Sequence, residues 1–158
     1  MKSTIIWIVI LAVIALGLFA WDSQRQWQPQ TQAQVTLRQV DLRIETQAGQ
    51  KHMIRTEIAD TAQSVSTGMM YRTSMPAGTG MLFVLPQPSD VQFWMKNTLV
   101  PLDMVFIDEN RVIQKIHANA IPHDETLIPA GGLVSYVLEI PSGSAAEMGI
   151  SVGDKIFY

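Results

Sequence analysis

Cysteine is absent from this chain of 158 residues. Its absence excludes thiol catalysis, disulfide bonds, iron–sulfur ligation and thiolate zinc sites. A bacterial lipoprotein anchor is excluded as well, because that anchor requires a cysteine to acylate. The lack of disulfides does not exclude an oxidising compartment. It means that the packed core alone must hold the fold together.

Basic residues are also few, and they are scattered singly along the chain. The sequence has 11 Lys and Arg residues against 14 Asp and Glu residues. A nucleic-acid surface or a polybasic lipid-binding surface needs clustered Lys and Arg side chains. We therefore predict no nucleic-acid partner. The moderate charge and the 47% of hydrophobic residues predict a folded protein rather than a disordered one.

The longest apolar run lies at residues 5–21 (IIWIVILAVIALGLFAW), which carry no charge and follow Lys2. A helix over this run would be roughly 25 Å long, near the lower limit for crossing a bilayer. Lys2 would stay inside, so the rest of the chain would lie outside the cytoplasm. The exit of the run, from Leu18 to Trp21, is a poor match to a cleavage site with small residues. A retained anchor is therefore favoured over a cleaved signal peptide.

Three regions are predicted along the chain. Residues 1–21 are a transmembrane anchor or signal peptide, residues 22–34 are a Gln-rich tether, and residues 35–158 are one β-rich domain. The predicted location is the bacterial inner membrane, with a single pass and the domain outside the cytoplasm. The alternative is secretion to the periplasm after cleavage.

Short apolar segments separated by turn residues predict a mainly β domain of the α+β class. We expect a compact, closed or nearly closed antiparallel sheet of about eight short strands, with one or two short helices. One helix is predicted to begin with Asp60 as N-cap and Gln63 as its reciprocal partner. Ser144 and Glu147 predict a capping box for a second, single-turn helix. Residues 108–110 predict the tight turn of a hairpin.

Several ordered stretches together resemble a known family. They are residues 68–72 (GMMYR), 80–83 (GMLF), 93–98 (FWMKNT) with 101–103 (PLD), and a tail at 138–143 (LEIPSG), 149–150 (GI) and 153–154 (GD). This ordered set resembles the domain-of-unknown-function family numbered 192, small bacterial and archaeal proteins that are often exported. The resemblance covers residues 35–158 and implies a compact β-rich fold without an established activity. Relatives often carry Arg three residues before Gly68, where this chain has Val65.

The densest polar cluster contains Lys96, Asn97, Thr98 and Asp103 beside Trp94. Burying such groups costs a few kcal/mol each unless they are paired, so an internal network or a ligand must satisfy them. A ligand site for a sugar or a carboxylate is one interpretation. A well-ordered turn, with Trp94 in the core, is the alternative.

Arg72 and Glu139 are the next candidates for a site. Glu139 lies within an apolar strand sequence (VLEI), where it could form a structural ion pair with Arg72 or Lys96. Alternatively, burial could raise its pKa and make it a general acid or base.

Two other kinds of site are considered and not favoured. His117, His123, Asp124 and Glu125 lack the tight spacing of metal ligands, so no metal site is predicted. The methionines (Met69, Met70, Met75, Met81, Met95 and Met104) could bind copper through their thioethers. They alternate with aliphatic residues, which favours core filling. No cofactor is predicted.

The leading functional hypothesis is a non-enzymatic small-ligand-binding or accessory domain of the cell envelope. Its tentative ligand-binding residues are Trp94, Lys96, Asn97, Asp103, Arg72 and Glu139. One alternative is an envelope hydrolase or lyase with Asp103 or Glu139 as acid or base and Lys96 as electrostatic helper. Another is a structural partner of a membrane protein, which would require an exposed apolar patch. The predicted partners are thus the membrane, through residues 5–21, and an unknown small ligand or envelope protein.

Overall fold

A computed structural model describes residues 36–158 of the chain. The predicted anchor at residues 1–21 and the tether at residues 22–34 lie outside the described residues. Within residues 36–158, no helix combines the length and the apolar character needed to cross a membrane.

Residues 36–158 contain nine strands and two short helices. The mainly β character predicted from the sequence is therefore confirmed. In chain order the elements are β1 (Gln39–Glu45), β2 (Lys51–Ala59), α1 (Ala62–Thr67), β3 (Thr79–Ser89), β4 (Gln92–Phe93), β5 (Leu102–Ile107), β6 (Ile113–Ala120), β7 (Ile128–Pro129), β8 (Val134–Pro141), α2 (Ser144–Glu147) and β9 (Lys155–Phe157).

Seven of the strands within residues 36–158 form one curled sheet in the order β6-β5-β8-β3-β2-β1-β9. The expectation of a purely antiparallel sheet is wrong at one pair, because β2 and β3 run parallel. Parallel neighbours need a crossover connection, and α1 with the loop after it supplies one. The crossover carries α1 over one face of the sheet. Strands β4 and β7 form a separate small pair.

The two edges of the curled sheet meet at one point. Val112, just before β6, forms an isolated antiparallel bridge with Lys155 at the start of β9. Next to it, the amide of Ile113 donates to the carbonyl of Asp154 at 2.8 Å, and the amide of Ile156 donates to the carbonyl of Arg111 at 3.0 Å. These bonds satisfy backbone groups that an open edge would expose.

Buried residues lie on both faces of the central strands. The inner face carries Leu82 of β3, Leu138 of β8 and Val105 of β5 in one apolar cluster. The outer face carries a second apolar cluster, which includes Met81, Phe83, Met104, Phe106 and Val137. Because side chains alternate along a strand, a sheet buried on both faces has continuous apolar sequence. All six residues of β5 are accordingly buried.

The helix caps differ from the predicted ones. The N-cap of α1 is Thr61, whose hydroxyl accepts from the amide of Ser64 at 3.1 Å. The Ser64 hydroxyl in turn accepts from the Thr61 amide at 3.0 Å. Thr61 and Ser64 therefore form the reciprocal cap that was expected of Asp60 and Gln63, one residue earlier.

Asp103 of β5 holds the second helix to the inner face of the sheet. Its side chain is 0% exposed. One carboxylate oxygen accepts from the amide of Ala145 in α2 at 3.0 Å, and the other accepts from the amide of Asn119 at 2.9 Å. The N-cap of α2 is Gly143, which has no side-chain bond, so the predicted Ser144–Glu147 capping box is not formed. Asp103 replaces it from a distant strand.

Replacing Asp103 with Ala should destabilise the fold by about 2–4 kcal/mol, because two backbone amides would lose their acceptor. Asp103→Asn keeps one carbonyl acceptor and should cost less. Urea unfolding measures both. Asp41→Ala is the control, since Asp41 is exposed and pairs with Arg55 at 3.0 Å, a contact worth less than about 1 kcal/mol. An Asp103→Ala protein as stable as this control would contradict the capping role.

Candidate functional site

A cleft of about 490 Å³ opens over the outer face of the sheet. This volume lies in the range of small-molecule sites. We call it the Glu139 cleft. It is lined by Val65, Ser66, Thr67, Gly68, Met69, Met70, Phe83, Leu85, Val91, Gln92, Phe93, Trp94, Thr98, Leu127 and Glu139. Among residues 36–158, Glu139 is the only acidic or basic side chain in this lining.

The walls of the cleft come from α1 and the segment around β4, and strands β3 and β8 contribute Phe83 and Glu139. The close approach of α1 to the sheet depends on Gly68, at the end of the helix. Its φ is +47°, and a Cβ there would lie 2.9 Å from the ring of Phe83. A residue with a side chain would therefore be strained and would push α1 away from the sheet.

Glu139 is the chemically distinctive residue of the cleft. It is 4% exposed, and its Oε2 has no hydrogen-bond partner among the described residues. Its cross-strand neighbours are Met81 on β3 and Met104 on β5, both fully buried. Burial raises the pKa of Glu139 to about 8, although the Arg72 guanidinium acts in the opposite direction. At neutral pH the carboxyl group is therefore largely protonated.

Two other carboxylates are buried, and both have structural partners. Asp103 accepts the two amide bonds described above. Asp154 accepts from the amides of Gln47 at 2.8 Å and Ser151 at 2.7 Å, which ties the β1–β2 turn to the start of β9. Glu139 differs from both in having an oxygen without a donor. It also lies on the opposite face of the sheet from Asp103.

Arg72 lies beside a second, smaller pocket of about 180 Å³. It forms a partly buried ion pair with Glu57 of β2. Met69 lines both this pocket and the Glu139 cleft, so it lies between them. The predicted ion pair between Arg72 and Glu139 is therefore not formed, since Arg72 pairs with Glu57 and acts on Glu139 only through its electric field.

Trp94 and Lys96 lie at the rim of the cleft. Trp94 is 41% exposed, so it is not the core residue considered as the alternative. The Lys96 ammonium lies 5.0 Å from the centre of the Trp94 ring and 3.8 Å from a Glu125 carboxylate oxygen. Lys96 therefore pairs with Glu125 rather than with Glu139.

Asn97 links two loops beside the cleft. Its side-chain amide donates to the Tyr71 hydroxyl at 2.8 Å, and its backbone carbonyl accepts from the backbone amide of Tyr71 at 2.9 Å. Both residues have positive φ, 55° for Asn97 and 62° for Tyr71. Residues other than glycine in this region cost about 1–3 kcal/mol each and occur preferentially at functional sites. The two bonds between Asn97 and Tyr71 hold the loop after α1 against the loop after β4.

The structure brings together some of the predicted site residues and separates others. Glu139 and Trp94 line the Glu139 cleft, while Arg72, Lys96 and Asn97 lie around it. Asp103 is on the other face of the sheet. Local sequence patterns missed the apolar lining, because it comes from α1 and the residues after it, β3, β4 and the loop before β7 at once. Those missed residues are Val65, Met69, Phe83, Phe93 and Leu127.

Histidines and methionines take ordinary positions. No group of three or more His, Asp or Glu side chains within residues 36–158 has the arrangement of a metal site. Four methionines (Met69, Met81, Met95 and Met104) belong to the outer apolar cluster. Core packing accounts for them.

Comparison with known proteins identifies a family match. The family model DUF192, described as an uncharacterized ACR, matches residues 43–158. No curated protein gave a significant match. Val65, the position at which the family resemblance led us to expect Arg, lines the cleft and so falls within the candidate site.

Two solved structures are similar to this chain. A protein of unknown function from Novosphingobium aromaticivorans is 39% identical with a TM-score of 0.76, and the match covers 80% of this chain and 89% of that one. A protein from Sinorhizobium meliloti, described as a putative transcription regulator, is 38% identical with a TM-score of 0.77. That match covers 79% of this chain and 97% of the other.

Glu139→Gln should make the fold less sensitive to pH. The pKa of Glu139 is raised from 4.5 to about 8, so the folded state holds a proton that the unfolded state releases. The stability that this proton confers is fully present below pH 4.5 and is lost as the pH rises to about 8. Over this window the variant should gain a few kcal/mol relative to the wild type.

Urea unfolding at several pH values from 4 to 9 measures this difference. Glu109→Gln, at an exposed turn position, is the matched control and should parallel the wild type. Parallel curves for Glu139→Gln and wild type would show that the pKa of Glu139 is not raised.

Proposed function

Because the chain belongs to the uncharacterised DUF192 family, we propose its function from the chemistry of the cleft: it is a small-ligand-binding domain of the cell envelope. The Glu139 cleft is the binding site. Its apolar walls bury the body of the ligand, and Glu139 is the polar group that fixes the orientation of the ligand.

One observation carries this proposal. Glu139 lines an open cleft, and its buried Oε2 has no hydrogen-bond partner among the described residues. A buried polar group without a partner costs about 1–3 kcal/mol. Asp103 and Asp154 avoid this cost by accepting backbone amides. For Glu139, a bound ligand supplies what the fold does not.

The enzyme alternative has less support. A pKa near 8 suits a general acid, but acid–base chemistry also needs a second group within reach of the reacting atoms. Asp103 faces the inner core with both oxygens engaged, and Lys96 pairs with Glu125 at the rim. These groups do not converge with Glu139 on one cleft.

A role in transcription regulation, the description given to the Sinorhizobium protein, would call for contacts with DNA if exerted directly, and the charges of this chain do not support such contacts. Basic side chains of β1 and β2 pair with acidic neighbours, as Arg55 does with Asp41 at 3.0 Å and Lys51 with Glu45 at 3.3 Å. Such pairing leaves little net positive charge to attract phosphates.

A docking role remains compatible with the rim of the cleft. Trp94 and Leu127 line the cleft and are also exposed, by 41% and 54%. Exposed apolar side chains at a rim can contact either a ligand or another protein. A protein partner that docks on the rim would cover the cleft without filling it, whereas a small ligand would lie inside the cleft. Binding of a small molecule inside the cleft therefore distinguishes the two roles.

We also propose that the chain is anchored in the inner membrane with the cleft outside the cytoplasm. The support is the uncharged run at residues 5–21 after Lys2, followed by a Gln-rich segment suited to a tether.

A fragment screen by two-dimensional NMR tests ligand binding. Fragments that bind should shift the indole resonance of Trp94 and methyl resonances of Met69. Val65→Trp should weaken or abolish these shifts, because the new ring occupies part of the cleft. Val152→Trp introduces the same ring at a site that is 56% exposed and not part of the cleft, and should leave binding unchanged. Equal binding by both variants, or no binding by any fragment, would contradict the proposal.

Fractionation of cells that express the full chain tests the location. The intact chain should sediment with membranes, resist extraction by alkaline carbonate, and be degraded when protease is added to spheroplasts. A mature chain that begins near Trp21 or Asp22 would instead show a cleaved signal peptide. A domain that resists protease in intact spheroplasts would overturn the outward orientation.

A further inference from the structure

We propose that the Glu139 cleft selects an organic ammonium ion, a primary amine on an aromatic or aliphatic body. The ammonium pairs with the Glu139 carboxylate while the body packs against the aromatic walls. This inference rests on the function proposed above and names the class of ligand.

No described residue makes a hydrogen bond to the buried Oε2 of Glu139. Its cross-strand neighbours Met81 and Met104 offer no hydrogen to its oxygens. The residue that could neutralise it, Arg72, is already paired with Glu57. An ammonium group inside the cleft would supply both a positive charge and several N–H donors.

The aromatic residues of the cleft favour the same charge. Phe83 and Phe93 pack edge to face with centroids 5.1 Å apart, and both line the cleft with Trp94. Aromatic faces attract cations through their quadrupole. The Lys96 ammonium already lies 5.0 Å from the Trp94 ring centre, so this ring attracts a cation within the chain itself.

An anionic ligand is disfavoured by the same lining. No Lys, Arg or His of the described residues lines the Glu139 cleft, and the Arg72 guanidinium belongs to the neighbouring pocket. A carboxylate or phosphate in the cleft would meet no positive side chain in the lining, and it would face the negative faces of the aromatic rings.

Binding of an ammonium ion should release a proton. The free protein holds Glu139 largely protonated at neutral pH, whereas the ion pair requires the carboxylate. The proton that leaves the Oε atom passes to the solvent, and the charge of the ligand replaces it. Affinity for an amine that stays protonated should therefore rise roughly tenfold per pH unit below pH 8 and level off above it.

The titratable side chains of β2 and β6 that share the outer face with Glu139 are paired elsewhere or separated from it by a methionine. On β2, Glu57 is held by Arg72. On β6, His117 is separated from Glu139 by Met104, which pairs with both. The titratable or charged side chains on β2, β5, β6 and β8 and on the loops that cover Glu139 are Lys51, His52, Arg55, Glu57, Asp60, Tyr71, Arg72, Asp90, Lys96, Asp103, Lys115, His117, His123, Asp124, Glu125 and Tyr136.

Three probes of similar shape and different charge test the inference: 2-phenylethylammonium, 2-phenylethanol and phenylacetate. Isothermal titration calorimetry at pH 6, 7 and 8 should find the ammonium ion bound most tightly, with affinity rising over this range. Titrations in buffers of different ionisation enthalpy should detect the released proton. Glu139→Gln should abolish the preference for the ammonium ion and its pH dependence, while binding of 2-phenylethanol persists. Glu109→Gln should behave as wild type.

Each outcome has a distinct meaning. Urea unfolding of Glu139→Gln and its binding of 2-phenylethanol show whether the variant is folded, so loss of ammonium binding in a folded variant reports on the charge of residue 139. Tighter binding of the alcohol or the anion, or affinity that falls as the pH rises, would overturn the ammonium inference and leave the binding function intact. If none of the three probes binds, the inference is also overturned. The comparison of Val65→Trp with Val152→Trp then decides whether the binding function fails with it.

Discussion

The structure depends on covering the outer face of strands β3, β8 and β5. These strands already bury their inner face, where Leu82, Leu138 and Val105 meet. Their outer face carries Phe83, Phe106 and other large apolar side chains that must also leave water. Burial of such a side chain contributes about 1.5–3 kcal/mol. This cover comes from the parallel crossover through α1 and from the segments around β4 and β7. The cover is incomplete at the Glu139 cleft.

The cover is made mainly of loops, and the loops are held by specific polar contacts. Tyr71 and Asn97 bind each other twice, and both adopt left-handed backbone conformations. His123, also left-handed, donates its amide to the carbonyl of Thr98 at 3.2 Å. A loop assembly fixed in this way costs backbone strain. In return it gives the cleft walls a defined position, which a ligand site requires.

Much of the fold followed from local sequence patterns, and the parts that did not follow depend on long-range contacts. The hairpin around Asp108 and the apolar strand that contains Glu139 are visible in the sequence, because turn chemistry and apolar runs are local. The face occupied by Asp103 was not visible. Both sequence neighbours of Asp103 are buried, so β5 shows no alternation of apolar and polar residues. The sequence therefore does not indicate which face of the sheet the Asp103 side chain occupies. The parallel pairing of β2 with β3 was missed because only the crossover reveals it.

The same limit applies to the candidate site. Glu139 was recognised from the sequence because a charged residue within an apolar strand is unusual. Trp94 was recognised because it lies beside the polar residues that follow it in the sequence. The remainder of the lining could not be assembled, because Gly68 and Phe83 meet only when α1 folds back over β3. The family motifs contain these residues without indicating that they line one cleft.

Glu139 is the residue whose presence the fold itself does not explain. A buried ionisable group of this kind is usually replaced at no cost, or at a gain in stability, by an apolar side chain of similar volume. Methionine would pack well between Met81 and Met104, and its introduction would remove the penalty that grows as the carboxyl group ionises. Asp103 and Asp154 each stabilise a helix or a turn that would otherwise lack an acceptor. A buried polar group that has no partner and stabilises no helix or turn is characteristic of functional sites. In this chain that group is Glu139, and it lines the cleft.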